Sequence, residues 1–264
     1  MVVPKIGGIV PSVVTSDDKL FSVHLLPALT LVGGDVDLEP YCSPISNQLF
    51  ENSCVANASA DAVELCNGVD GFPQVEISRN QIYYNGRSIM TVDGIHNLTS
   101  QDAGMSVKAA FQAMATFGIC PESLWPYDPN LVNVRPDIKA TWFALRNKLN
   151  SYYFINQVGP EMLTQIRNAI SGKHPVCFGI PVTQAFENGV AAGQVIPPPQ
   201  ASDQILGQHC IMAMGSIGGN IKIRNSWGAG WSAGGYALLH QDWFNLGFAN
   251  DPWVPTNGLV FNEG

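Results

Sequence analysis

The sequence changes texture once, near Pro175, and that break limits the folds open to it. Upstream, helical patterns dominate: "SCVANASADAVELC", "SRNQIYYNGRSIM" and "GMSVKAAFQAMATFGIC", the last with Val107, Ala110, Phe111 and Met114 at helical spacing and Gly118 as its stop. "PESLWPYDP" is a proline-punctuated loop, and "GPEMLTQIRNAISGK" predicts a helix with Pro160 in its first turn and its end near Gly172. Downstream, "PVCFGIPV", "HCIMAMGSI", "NIKIRNSW" and "GGYALLH" are short apolar or alternating runs separated by glycines, which reads as strands. Helices followed by strands predict an α+β fold and argue against a doubly wound sheet.

Composition narrows the function. A chain of 264 residues with 46% hydrophobic content can bury a real core. The net charge of -8, with no Lys/Arg cluster, disfavours nucleic acid and anionic membrane as partners. No apolar run is long enough to span a bilayer, and "MVVPKIGGIVPSVV" is broken by prolines and glycines, so a soluble cytoplasmic protein is expected. Cysteines stand at 42, 54, 66, 120, 177 and 210 without a C-x-x-C pair, so neither a metal nor another cofactor is expected. With Cys54 kept free, five remain, and a disulfide framework is not expected. Residues 1–35 hold two Gly-Gly pairs, several prolines and "LFSVHLLPALTLVGG", an extension with one strand or short helix.

Three residues carry the chemistry. Cys54 follows the capping residue types Asn52 and Ser53 and opens an Ala-rich helix with Val55, Ala58, Ala62 and Leu65 on one face. A thiol in a first helical turn faces free N–H groups and the positive end of the helix dipole, which favour the thiolate. Such a nucleophile needs an imidazole partner. Of five histidines, His24, His96, His174 and His240 sit in the extension, in a polar loop or at strand ends, whereas His209 stands at the mouth of the apolar run "GQHCIMAMG". Asn225, between an alternating strand and a Ser-Trp-Gly turn, can accept from an imidazole N–H and fix its tautomer while Trp227 excludes water.

Together "VDLEPYCSPISNQLFENSCVANA", "AGMSVKAAFQAMATFGICPESLWPY", "LGQHCIMAMG" and "IKIRNSWGAGWSAGGYALL" resemble the papain-like cysteine peptidases, in particular bacterial-type members, from Val36 to about His240. The resemblance implies a two-lobed fold, helical over about 36–150 and β-rich over about 151–264, with the site in the cleft between. It implies that Cys54 attacks a peptide carbonyl as thiolate and that His209 is its imidazolium partner and general acid. Gln48, six residues before the nucleophile, supplies an oxyanion donor with the Cys54 N–H; Asn225 orients His209 and Trp227 shields their bond. Gly104 pairs its backbone with an extended peptide, and Met105 edges a side-chain pocket. The expected partner is a peptide or protein substrate; the oligomeric state stays open. An acyltransferase or amidase on the same Cys-His-Asn site, or a non-catalytic papain-like binding protein, are the alternatives.

Three departures from the family pattern stand out. Val55 follows the nucleophile where papain has an aromatic residue, and Glu51 stands where many eukaryotic relatives have a disulfide-forming cysteine. The extension is shorter than the long helical propeptide of secreted relatives, and its apolar "FSVHLLPALTLVGG" is expected to cover the cleft.

Overall fold

The computed structural model describes residues 5–21, 34–259 and 261. After the short strand β1 (Val36–Asp37), the helical half is built on α1 (Cys54–Val69), α2 (Arg79–Ile89), the hairpin β2 (Thr91–Val92) and β3 (Ile95–His96), α3 (Val107–Phe117) and α4 (Ile138–Ala144). The Ser78 and Ser106 hydroxyls accept the Gln81 and Ala109 N–H groups and so start α2 and α3. Gly118 ends α3 at φ +80°, where a Cβ would also run into the Ala144 carbonyl.

The second half adds β4 (Tyr152–Phe154), α5 (Gly159–Ser171), β5 (Val176–Val182), α6 (Gln184–Asn188), β6 (Val195–Ile196), β7 (Gly207–Ile217), β8 (Asn220–Arg224), β9 (Tyr236–Leu239), α7 (Asp242–Asn245) and β10 (Asn250–Pro255). One sheet runs β4-β10-β5-β7-β8-β9-β6, with β1 added on β7. Its pairs are antiparallel except β6 with β9. All seven residues of β5 are buried, so the strand reads as an unbroken apolar run and not as an alternation. The α+β class, the four downstream strands and the ends of α3 and α5 match the sequence pattern. Strand β10 was hidden by its two prolines and its Asn-Asp start, which are poor strand formers. The segment "FSVHLLPALTLVGG" falls, apart from Phe21 and Gly34, outside the described residues, as does His24.

Helix α1 is not amphipathic in the expected sense: 14 of its 16 residues are buried. It packs against α2 and α3 and also against β5 and β7, which is why its side chains are small. Burial on every side encloses two carboxylates, and both are paired. Asp61 accepts from Arg79 of α2 at 2.9 Å and from Arg224 of β8 at 2.9 and 3.1 Å; Glu64 accepts from Arg79 at 3.0 Å and from Ser43 at 2.5 Å. Burial alone would raise the Asp61 carboxyl, but Arg224 and Arg79 outweigh it and hold it below the usual range. The cluster ties α1 to both halves of the chain.

Asp61→Ala leaves Arg224 buried with main-chain and hydroxyl partners alone, and is expected to cost about 3–5 kcal/mol in urea unfolding. Lys222→Ala, which breaks pairs with the half-exposed Asp37 and Glu39, should cost less than about 1 kcal/mol. Equal losses in the two variants would contradict the bridging role of Asp61.

Candidate active site

Each end of the site is placed by the turn before or after a regular element. Cys54 is the first residue of α1, but Ser53, at the cap position, makes no cap bond: its hydroxyl lies 2.7 Å from Tyr127 Oη. His209 is the third residue of β7, and Asn225 follows β8, the strand paired with β7. Adjacent antiparallel strands bring the two side chains together, and His209 Nε2 lies 2.7 Å from Asn225 Oδ1. Trp227 stacks on the imidazole with centroids 4.6 Å apart. Nδ1 of His209 is buried with no hydrogen-bond partner among the described residues. The Cys54 thiol sits among backbone groups of Cys210, the residue after His209, and of Val55, Cys54 and Gly8.

Gln48 is held at both ends of its amide. Its Oε1 accepts from Ser226 Oγ at 2.7 Å, and Nε2 donates to the Glu51 carbonyl at 3.0 Å and to the Lys5 carbonyl at 3.2 Å. One face of the amide is thus oriented by the protein, leaving an N–H aimed at whatever carbonyl occupies the cleft. Ser226, absent from the sequence reading, fixes which way the amide points; its one signal was adjacency to Asn225. Gly104 and Met105 both lie against the chain's own N-terminal segment. The backbone pairing with an extended segment is that of Met105, which donates to the Gly8 carbonyl at 2.9 Å and accepts from Val10 N–H at 3.0 Å. Gly104, at φ +77°, accepts no side chain because a Cβ would lie 2.6 Å from the Gly8 carbonyl, and its N–H goes to Tyr83 Oη at 2.9 Å. The Met105 side chain is fully buried and lies against Gly86. The remaining described histidines are engaged elsewhere: His96 bonds Thr91, His174 donates its backbone N–H to the Ala169 carbonyl, and His240 lies beside Asp242.

The segment over the thiol is the chain's own. A Cβ on Gly8 would come within 2.9 Å of Cys54 Sγ and overlap the Asn52 carbonyl, so only glycine fits there. Lys5 pairs with Asp102 at 2.8 Å, Ser12 donates to Asp251 at 2.7 Å, and Asp18 pairs with Lys108 at 2.7 Å. The carbonyl at the Gln48 amide belongs to Lys5, whereas the group beside the sulfur is Gly8, three residues on. These two contacts fall on different residues of the segment. Burial governs the protonation states. Burial pushes the Cys54 thiol up to about 12, against backbone donors that favour the thiolate, and it pushes His209 down to about 4, against its bond to Asn225. The ion pair expected from the helix dipole is therefore not the favoured form here, because desolvation outweighs the dipole; both groups are neutral.

A family model for papain family cysteine protease matches residues 35–256. The chain belongs to that family. This papain-family protease is similar to xylellain, a cysteine protease from Xylella fastidiosa, with a TM-score of 0.80, 25% identity and 96% of each chain covered. A procathepsin B of Trypanosoma congolense shares the fold at a TM-score of 0.70 and 14% identity, covering 97% of this chain and 87% of that one. An uncharacterized peptidase C1-like protein of Acanthamoeba polyphaga mimivirus is 28% identical over 216 residues, 76% of this chain and 66% of that protein's length. The two-lobed papain-like fold expected from the motifs is thus the observed one. No helix among the described residues is long and apolar enough to cross a membrane.

Gly8→Val cannot be accommodated over the sulfur and is expected to displace the covering segment. Alkylation of Cys54 by iodoacetamide should then quicken at least about tenfold near neutral pH, with its apparent pKa moved down from about 12. An unchanged rate–pH curve in the variant would show that the segment does not control the thiol.

Proposed function

We propose that the protein is a cysteine peptidase whose residues 5–12 close its own cleft. The observation that carries this reading is the 2.7 Å bond between His209 and Asn225, made through Nε2 so that Nδ1 keeps no hydrogen-bond partner among the described residues and is open to a proton from the nucleophile. With the cover withdrawn, water re-enters, desolvation falls away, and the α1 dipole together with the imidazolium favours the Cys54 thiolate. The thiolate adds to a substrate carbonyl; the oxygen, turning negative, is received by Gln48 Nε2 and the Cys54 N–H. His209 gives its proton to the leaving amine, and water then hydrolyses the thioester. Asn225 keeps the ring in the useful tautomer, and Trp227 keeps water off their bond. The Met105 backbone, engaged by the cover, is the natural partner for an extended peptide substrate, so the substrate class is a peptide or protein chain. The two lobes, about 36–150 and about 151–264, meet along this cleft, and the cover belongs to the extension over residues 1–35 through its described residues 5–12.

The pH response follows from His209. Its value is depressed from the ordinary 6.5 to about 4 in the covered state, so its contribution to that state is complete above about 6.5 and is lost as pH falls toward 4. Acid therefore favours the uncovered state through this residue. Asp251, raised by burial, works in the opposite sense on the Ser12 contact.

Peptide hydrolysis by the full chain should vanish in Cys54→Ala, fall roughly a hundredfold in Gln48→Ala through loss of about 3 kcal/mol of oxyanion stabilisation, and persist at a reduced level in Asn225→Ala. Near-wild-type turnover in Cys54→Ala would sink the proposed mechanism. Preincubation at about pH 5 should raise the initial rate over pH 7.5, and a rate insensitive to that step removes His209 as the acid-sensitive group.

A further inference from the structure

Behind the Gln48 amide lies a second titratable group that the mechanism does not use. Glu51 is 2% exposed, and its Oε1 has no hydrogen-bond partner among the described residues. Its Oε2 lies 3.0 Å from Tyr127 Oη, the residue that closes the "PESLWPY" loop. That hydroxyl has two further neighbours: the Gln48 main-chain carbonyl at 2.8 Å and Ser53 Oγ at 2.7 Å. A phenol carries one proton and can accept two bonds. A main-chain carbonyl can only accept, so if Tyr127 donates to Gln48, both other contacts must donate to Tyr127. Ser53 is able to, because its oxygen accepts from Asn57 Nδ2 at 3.2 Å and its single proton, drawn to Glu51 when that group is ionised, can turn to Tyr127 when Glu51 is neutral. Glu51 is able to only as a carboxylic acid. If Glu51 is ionised, its carboxylate takes the Tyr127 proton, and the Gln48 carbonyl keeps just the Glu51 N–H at 3.2 Å.

We propose that Glu51 is a positioning residue for the oxyanion donor: as a neutral acid it donates to Tyr127, Tyr127 donates to the Gln48 carbonyl, and loss of the Glu51 proton to solvent releases that carbonyl and loosens Gln48. This rests on the peptidase reading above, and gives the site an upper pH limit of its own. Burial is the largest influence on the carboxyl and pushes it up to about 7, and Asp102, from the loop before Gly104, acts in the same sense. Tyr127, Ser53 and Arg87 of α2 favour the ionised form but are outweighed; Arg87 is spent on the carbonyls of Gln101 and Val132 and on Asn133 Oδ1. Lys5, from the cover, engages Asp102 and not Glu51. The sign is that of an acid raised from its ordinary 4.5: the ordered loop is complete at and below about 4.5 and is lost as pH rises through about 7.

The test compares full-length wild type with Glu51→Gln, whose amide keeps a donor toward Tyr127, and with Tyr127→Phe. Infrared difference spectra should show a protonated-carboxyl C=O stretch in wild type at about pH 6 that titrates near neutrality and is missing in Glu51→Gln; in Tyr127→Phe the same band should shift to higher frequency as its acceptor is removed. In peptide hydrolysis, wild-type kcat should decline above neutrality with KM little changed. Glu51→Gln should keep the kcat seen at low pH without that decline, and Tyr127→Phe should have a lowered kcat with no decline of its own. An ionised Glu51 at about pH 6, or the same alkaline decline in Glu51→Gln as in wild type, overturns the proposal. The infrared arm needs no turnover, so it decides the matter even if Cys54→Ala retains activity and the peptidase reading fails.

Discussion

A helix enclosed on all sides is the constraint from which the rest of this molecule follows. Helix α1 sits between α2 and α3 and the central strands β5 and β7, so its surface is alanine, serine and valine, and its two carboxylates have no water to face. Buried charge is tolerated only when paired. Asp61 therefore draws Arg79 from one side and Arg224 from the other, and Arg224 is the residue immediately before Asn225. The same helix that opens with Cys54 thus fixes, through an ion pair two turns further along, the end of the strand that orients His209.

What the sequence disclosed was what local patterns encode. Cys54 and Asn225 stand at element ends and His209 near the start of a strand, positions that local turn and apolar patterns made readable before any coordinates. The four strands of the second half were readable because glycines separate them. Features that depend on contacts between distant segments were not. The neutral form favoured at the Cys54 thiol arises from burial in the tertiary structure, where Gly8, 46 residues away, packs on the sulfur, and no helix-dipole argument includes it. The pairing of the Met105 backbone with Gly8 and Val10 joins segments almost a hundred residues apart, which side-chain identity does not reveal. Ser53 was read as a cap and acts as a neighbour of Tyr127, because a tertiary contact outbid a local one.

The site is also more polar underneath than its motifs imply. Where relatives close this lobe with a disulfide, Glu51 and Tyr127 meet behind Gln48, and all six cysteines are free. A covalent bridge would hold that loop at any pH, while a hydrogen-bonded carboxyl holds it only over a range.

The Lys5 carbonyl resting on the Gln48 amide ties together two properties that selection would otherwise tune apart. In the proposed enzyme the donor that receives a reacting oxygen is the one that grips the plug, so a stronger donor makes both a faster catalyst and a tighter stopper. Sequence drift in this lineage should accordingly escape that bind at Gly7, where an added side chain meets open space and the grip can be eased without touching the machinery beneath.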